Sequence, residues 1–394
     1  MKKYYVIIAV IIGLVATAII LLQTENVHVG YELEESDSQD SRILSRAPGP
    51  LGNQSELLFD GSVKKEDLIK NYKEWSKYPP DSRPLLPEHR DVIRHREIPV
   101  ALQTMPVMQD GKPQDSGYQC LLQPATHSVT EGEKMQLFLA CTGKGSITPL
   151  PIKLVEIKTV GRAGVKKFSP EEILGPFDDG TNGDPNAGDG IHTFSFSPKK
   201  QDWGDIHVTI NFAVLDGNRS TELSLSTHFF SSPVAPARFT GRFNETYRDG
   251  SLFISAELEV MKPGNYTIEA NLFGDEQPIA YAREDAKLDP GLQFVELEFF
   301  GKVLHDREID GPFELKDLRG YLNTDVIQPE ILAQSPAEVE RFLKNVREDR
   351  PKRMLIPYSA ARHETRKYAA SEFPDDPYDS PEKRERLRQL SSLP

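Results

Sequence analysis

Ile206, Val208, Ile210, Phe212 and Val214 alternate with His207, Thr209 and Asn211, and beyond Asp216-Gly217-Asn218 the alternation resumes, Leu223 and Leu225 against Ser224, Ser226 and His228. A period of two assigns one residue class to each face of a strand, and Asp-Gly-Asn between two such runs signals a hairpin. The same residues would scatter around a helix, whose period is 3.6. This stretch therefore folds as antiparallel sheet with one face on a core. Thirty prolines and 27 glycines in 394 residues agree with many short strands joined by turns, and the length supplies two or three domains.

Further strand-like runs at Gly117–Gln123, Met135–Cys141, Ile152–Val160 and Ile191–Ser197 complete a first antiparallel, Ig-like β-sandwich over residues 115–232. Pro233 and Pro236 bound a linker, and residues 236–330 read as a second sandwich. There Leu252, Ile254, Ala256, Leu258 and Val260 form one apolar face, and Tyr266, Ile268, Ala270 and Leu272 another. Both runs face one core only if the loop around Lys262-Pro263-Gly264 has an odd length, because a slip of one residue turns a strand inside out. Gln293–Gly301 and Pro312–Leu322 supply more strands. Residues 62–114 combine a short helix, with Leu68, Tyr72 and Trp75 on one side, and an extended segment punctuated by prolines. Residues 331–394 form a short helical or irregular tail. In it Ser335, Pro336 and Glu338 read as cap, first-turn proline and capping-box partner ahead of the stripe Val339, Phe342, Leu343 and Val346. Asp379 to Pro394, mostly charged, is expected to fray.

Tyr4 to Leu22 is a 19-residue run without a charge, preceded by Lys2 and Lys3. That length spans a bilayer as a helix and leaves a three-residue cytoplasmic stub. Ala16-Thr17-Ala18 has the form of a signal-peptidase site, but Ile19 to Leu22 continue the apolar run past it, which favours an uncleaved anchor over a signal peptide. Residues 23–61 are polar and carry the acidic run Glu32, Glu34, Glu35, Asp37 and Asp40, which fits a disordered tether. Everything beyond the anchor then lies outside the cytoplasm. Cys120 and Cys141, the only cysteines, sit in strand-like segments of that compartment, where a disulfide persists; a pair of buried free thiols is the alternative. A formal net charge of −13 excludes a free nucleic-acid binder, which needs a basic surface.

Ala237-Arg238-Phe239-Thr240-Gly241-Arg242-Phe243, Asp249-Gly250-Ser251-Leu252, Pro263-Gly264-Asn265-Tyr266, Phe299-Phe300-Gly301-Lys302, Asp310-Gly311-Pro312-Phe313 and Leu318-Arg319-Gly320-Tyr321 form a distinctive set. With these the chain resembles bacterial envelope or surface proteins that carry the choice-of-anchor X domain, from about Tyr78 to Lys383. The resemblance implies β-sandwich architecture in the envelope and assigns no catalytic residues.

Asp178, Asp179, Asn182, Asp184, Asn186 and Asp189 crowd into one glycine-rich connection. Calcium takes six to eight such oxygens. The spacing is not that of an EF-hand, and the alternative is a long turn whose Asx side chains bond their own backbone. With Gly217-Asn218 as turn centre, His207 faces His228; with Asp216-Gly217 at the centre the register slips by two and the pair is diagonal or lost. Two imidazoles make an incomplete metal site, and both read as exposed. His89, Arg90, Arg94, His95 and Arg96 form a basic cluster that reads as a solvated face. Nucleophile-elbow, His-Glu-x-x-His and Walker signatures are absent from the sequence. The expectation is a single-pass protein of the bacterial inner membrane with most of the chain in the periplasm. It is non-enzymatic and binds an envelope protein or glycan partner. The alternative is a hydrolase, or an accessory binding module, acting on envelope polysaccharide or peptide.

Overall fold

In the computed structural model, residues 64–324 apart from Val165, residues 335, 337 and 338, and residues 351–393 are described. The expected membrane helix at 4–22, the tether at 23–61 and the stripe from Val339 to Val346 lie outside the described residues. Among the described residues no helix is long and apolar enough to cross a membrane. A short strand, β1 (Ser82–Pro84), comes first in the chain and belongs to the second of two sandwiches.

The first sandwich uses β2 (Gln103–Gln109), β3 (Lys112–Pro124), β4 (Ser128–Thr130), β5 (Met135–Gly143), β6 (Ile152–Ala163), β7 (Lys166–Phe168), β8 (Leu174–Phe177), β9 (His192–Phe196), β10 (Gly204–Asp216) and β11 (Arg219–Ser232). They form two sheets, ordered β2-β3-β5-β9-β8 and β4-β11-β10-β6-β7. Leu137, Leu139, Phe194 and Phe196 of one sheet meet Ile206, Val208, Ile210 and Phe212 of the other, all fully buried. Each such side chain contributes about 1.5–3 kcal/mol on burial. The hairpin turn is Gly217-Asn218 with Asp216 opposite Arg219, and this register sets His207 directly across from His228. Cys120 pairs with Cys141 across β3 and β5, and the disulfide is formed. The sandwich starts at Gln103 rather than near 115. Pro106 does not end the strand, because β2 is an edge strand and its register shifts between Thr104 and Pro106.

The second sandwich uses β12 (Ala237–Arg248), β13 (Ser251–Val260), β14 (Gly264–Gly274), β15 (Gln277–Leu288), β16 (Gly291–Phe299), β17 (Phe313–Asn323), β18 (Arg353–Leu355) and β19 (His363–Glu364). A three-stranded sheet, β12-β13-β16, faces a sheet ordered β1-β15-β14-β17-β18, with β19 also on β17. Both expected apolar faces are buried in one core, and the connection Met261 to Pro263 has three residues. It is nevertheless not a hairpin: β13 pairs with β12 and β16, and β14 with β15 and β17. Alternation fixes which face is buried, not which strand lies alongside.

Both flanking segments close on this second sandwich. Ser82 pairs with Ala282, and Leu85 is buried behind it. Met354, Ile356, Tyr368 and Phe373 of the tail enter the core. The helix α1 (Lys65–Trp75) leads the described chain, followed by α2 (Arg90–Ile93), α3 (Gly301–Arg307) and α4 (Pro381–Ser391). The terminal segment does not fray as expected. Ser380 caps α4, its hydroxyl accepting from Lys383 N–H at 3.1 Å, and α4 packs on α1. Lys65 Nζ donates to the Leu393 carbonyl at 2.8 Å, and Lys383 Nζ to that of Ser76 at 2.8 Å. Trp75, by contrast, is 76% exposed. In the 331–394 segment, Ser335 N–H donates to Glu338 Oε2 at 3.1 Å, as the expected capping box requires.

Candidate functional site

A partly open cavity of about 330 Å³ lies at the seam between the sandwiches. Its wall from the first sandwich runs from Thr126 to Glu133; Glu269 on β14, Arg319 and Tyr321 on β17, and Arg353 to Tyr358 supply the other side. His95 and Arg96, just after α2, close it. Asn271 fixes that segment, its Nδ2 donating to the Val92 carbonyl at 3.0 Å.

Each carboxylate lining the cavity is paired. Arg96 Nη2 reaches Glu133 Oε1 at 3.0 Å, and Arg319 Nε reaches Glu269 Oε2 at 2.8 Å. Burial pushes the Glu133 carboxyl up, but the hydroxyl and amide of Thr130 together with Arg96 outweigh it and hold the group below the usual carboxylate range. Arg96 also lies over the Tyr358 ring at 4.7 Å. Tyr358 donates to Asp317 Oδ1 at 3.3 Å; burial and then Asp317 push its hydroxyl up. Burial, then Arg319, brings His95 down to about 4, so its imidazole is neutral at pH 7. Acid–base hydrolysis asks for a protonated acid beside an ionised carboxylate, or a base titrating near neutrality. Here both lining carboxylates are held in ion pairs, and His127 is a further imidazole in the wall of the cavity. Its chemistry is that of a polar clasp.

Three further contacts hold the sandwiches together. Trp203 Nε1 donates to the Arg353 carbonyl at 3.3 Å, Leu355 N–H to Ser232 Oγ at 2.9 Å, and Arg238 pairs with Glu131. Because His95 has a lower pKa folded than unfolded, the clasp gives stability that is fully present above pH 6.5 and lost as pH falls through 4. We expect His95→Gln to flatten the acid limb of a stability–pH profile across that window. An unchanged limb in a pH series of denaturant melts would refute it.

The six residues of the expected calcium loop fall in one connection, between β8 and β9, and three of the aspartates bond the loop's own backbone. Asp179 accepts from Thr181 N–H at 3.0 Å, Asp184 from Gly180 N–H at 2.7 Å and Asp189 from Ile191 N–H at 2.9 Å. Asn182 adopts a positive φ of 53° and Asn186 donates to Asp189 at 3.3 Å. No three of Asp178, Asp179, Asp184 and Asp189 bring carboxylate oxygens within 4.8 Å of one another. These side chain-to-backbone bonds are the Asx-turn arrangement. His207 and His228 stack with ring centroids 5.8 Å apart on the exposed face of the first sandwich, and among the described residues no third histidine, cysteine or acidic ligand converges on them. Of the basic cluster, His95 and Arg96 are drawn into the seam. Arg94 instead pairs with Glu97 at 3.3 Å on the surface, and His89 Nδ1 accepts from Leu86 N–H at 3.1 Å.

Among the described residues, His305, Asp306 and Asp375 alone gather three ligand atoms in the manner of a metal site. Lys302 fills that role already: its ammonium pairs with Asp375 and lies 3.1 Å from Asp306. Sequence reading missed Glu269, Arg319, Arg353 and Tyr358. Glu269 and Arg319 are register partners on β14 and β17, a pairing visible only once those strands are known to be neighbours.

Fold and seam together define a mainly β protein with a charge-paired cavity between its sandwiches. Residues 236–340, roughly a quarter of the chain, match a family model described as the C-terminal domain of DUF4785, a domain of unknown function. That match corrects the resemblance to choice-of-anchor X proteins. The six motifs quoted for that resemblance lie within 236–340, and each contains a glycine, a residue that sandwiches of different families place at turns and bulges. A crystal structure of a DUF4785 family protein from Legionella pneumophila is similar over 52% of this chain and 53% of that chain, at 14% identity and a TM-score of 0.36. The chain thus spans about half the length of that relative. The Yersinia pseudotuberculosis adhesin InvE aligns over 51% of this chain and 54% of its own, at 10% identity and a TM-score of 0.17. A chimeric titin Z1Z2 tandem aligns over 50% and 91%, at 11% identity and a TM-score of 0.16. At these scores the likeness carries no argument about function. No curated protein matches the chain.

Proposed function

We propose that the protein is a non-enzymatic, membrane-anchored display module of the bacterial cell envelope, with its two Ig-like sandwiches in the periplasm and a partner-binding role. The observation that carries this reading is the closure of both flanking segments on the second sandwich. The chain arriving from the expected anchor is pinned there by α1 and β1, and the tail by Tyr368, Phe373 and α4. A pull on the anchor is then borne by the second sandwich, and the first is held out as a head through the charge-paired seam. The paired state of Glu133 and Glu269 supports binding over hydrolysis.

The test is extraction. Full-length protein in inner-membrane vesicles is expected to stay in the pellet through alkaline carbonate washing, and to be cut by protease added outside spheroplasts. Release by carbonate would sink the anchor, and solubilisation of envelope glycan or peptide by the purified chain would sink the non-enzymatic role.

A further inference from the structure

The groove between α1 and α4 differs in charge from the rest of this acidic chain. Ile69 and Leu387 give it an apolar floor; Lys73, Arg384 and Arg388 line it with three cations; and among the described residues no carboxylate does. Its volume is about 940 Å³, and it is open to solvent along the helix pair. Arg384 reaches Asp379 at 3.4 Å and Arg388 reaches Glu385, but these acids stand off the groove. All four side chains are about half or more exposed, so the pairs are weak and exchange readily for another anion.

We propose that this groove binds the phosphate headgroups of anionic phospholipids on the membrane surface that anchors the protein. Two features select this occupant. Its chemistry is complementary: the cations meet phosphate, and Ile69 and Leu387 meet the adjoining acyl boundary. Its position also fits, and here the inference rests on the anchored reading above. About 40 residues separate Leu22, where the apolar run ends, from the helix pair. A chain spans at most ~3.3–3.6 Å per residue, so that many residues are long enough to let a domain rest on the bilayer surface. Contact at the groove would lay the second sandwich on the membrane and leave the first facing outward.

The test uses a fragment of residues 64–394, which contains the whole compact unit Lys65–Pro394. It is expected to sediment with vesicles of phosphatidylglycerol and phosphatidylcholine, not with phosphatidylcholine alone, and to be released by salt. The triple variant Lys73→Gln, Arg384→Gln, Arg388→Gln is expected to bind roughly a hundredfold more weakly, at about fivefold per cation. Its melting temperature should match the parent's, and the pair Lys166→Gln, Lys167→Gln on β7 should leave binding unchanged. Competition by inorganic phosphate at low millimolar concentration would assign the site to free phosphate and overturn the lipid assignment. So would absent binding, or equal binding by the triple variant. If the fragment binds while carbonate releases the full chain, the anchor fails and the groove stands; the reverse result leaves the anchor and removes the groove.

Discussion

Phe373→Ala is expected to destabilise the second sandwich by about 3–5 kcal/mol, the range for emptying a well-packed aromatic site. Phe373 lies in the tail, far from the strands it packs on, and is 2% exposed. Its ring meets Tyr247 edge-on at 5.6 Å, Tyr368 at 5.7 Å and Phe313 at 6.3 Å. These contacts tie residues 368–373 to β12 and β17. Beyond the transfer of one ring, the substitution should loosen everything after Tyr368, including the α4–α1 contact. Denaturant melts give the magnitude, and limited proteolysis gives the place: cleavage between Ala369 and Ser380 should appear in the variant well below its unfolding midpoint. A loss under 1 kcal/mol with an uncut tail would show that the tail is not part of the core.

Replacing Cys120 and Cys141 together by alanine is expected to cost about 3 kcal/mol, the entropic value for a loop closed over 21 residues. The bond joins neighbours in a single sheet, opposite one another on β3 and β5. It therefore limits the unfolded chain around residues 120–141 and does not pin one sheet of the sandwich to the other. The first sandwich should lose stability, and the second should melt as before. Two separable transitions, the lower one moved by the substitution and matched by wild-type protein under reductant, would bear this out. A shift of both by equal amounts would mean that the seam couples the sandwiches into one cooperative unit.

Local pattern made much of this fold legible. The alternation at 206–214 and 252–260 marked the buried faces, and Asp216-Gly217-Asn218 marked the hairpin but left two registers open, of which the strand pairing selects the one that places His207 against His228. The cysteines were legible because only one pairing was available. Three features were not. Ser82–Pro84 joins a sheet whose other strands follow about 180 residues later, and no local period encodes such a partner. The loop at 261–263 has the expected parity but crosses between sheets, since parity constrains facing and leaves adjacency open. His95 and Arg96 looked like part of an exposed basic run, yet become a half-buried imidazole and a paired guanidinium once Glu133 and Arg319 arrive from separate sandwiches.

The sequence by itself determined the β class, the buried faces of the alternating runs at 206–214 and 252–260, the place of the hairpin turn and the cysteine pair. All of these depend on neighbours within one strand or one turn, where side-chain period and backbone preference act directly. Only the tertiary structure decided that both flanking segments close on the second sandwich, that the Asp-rich loop engages its own backbone, and that a charge-paired seam joins the two halves. Those features depend on which distant residues meet, and that is settled by the combined packing of both cores.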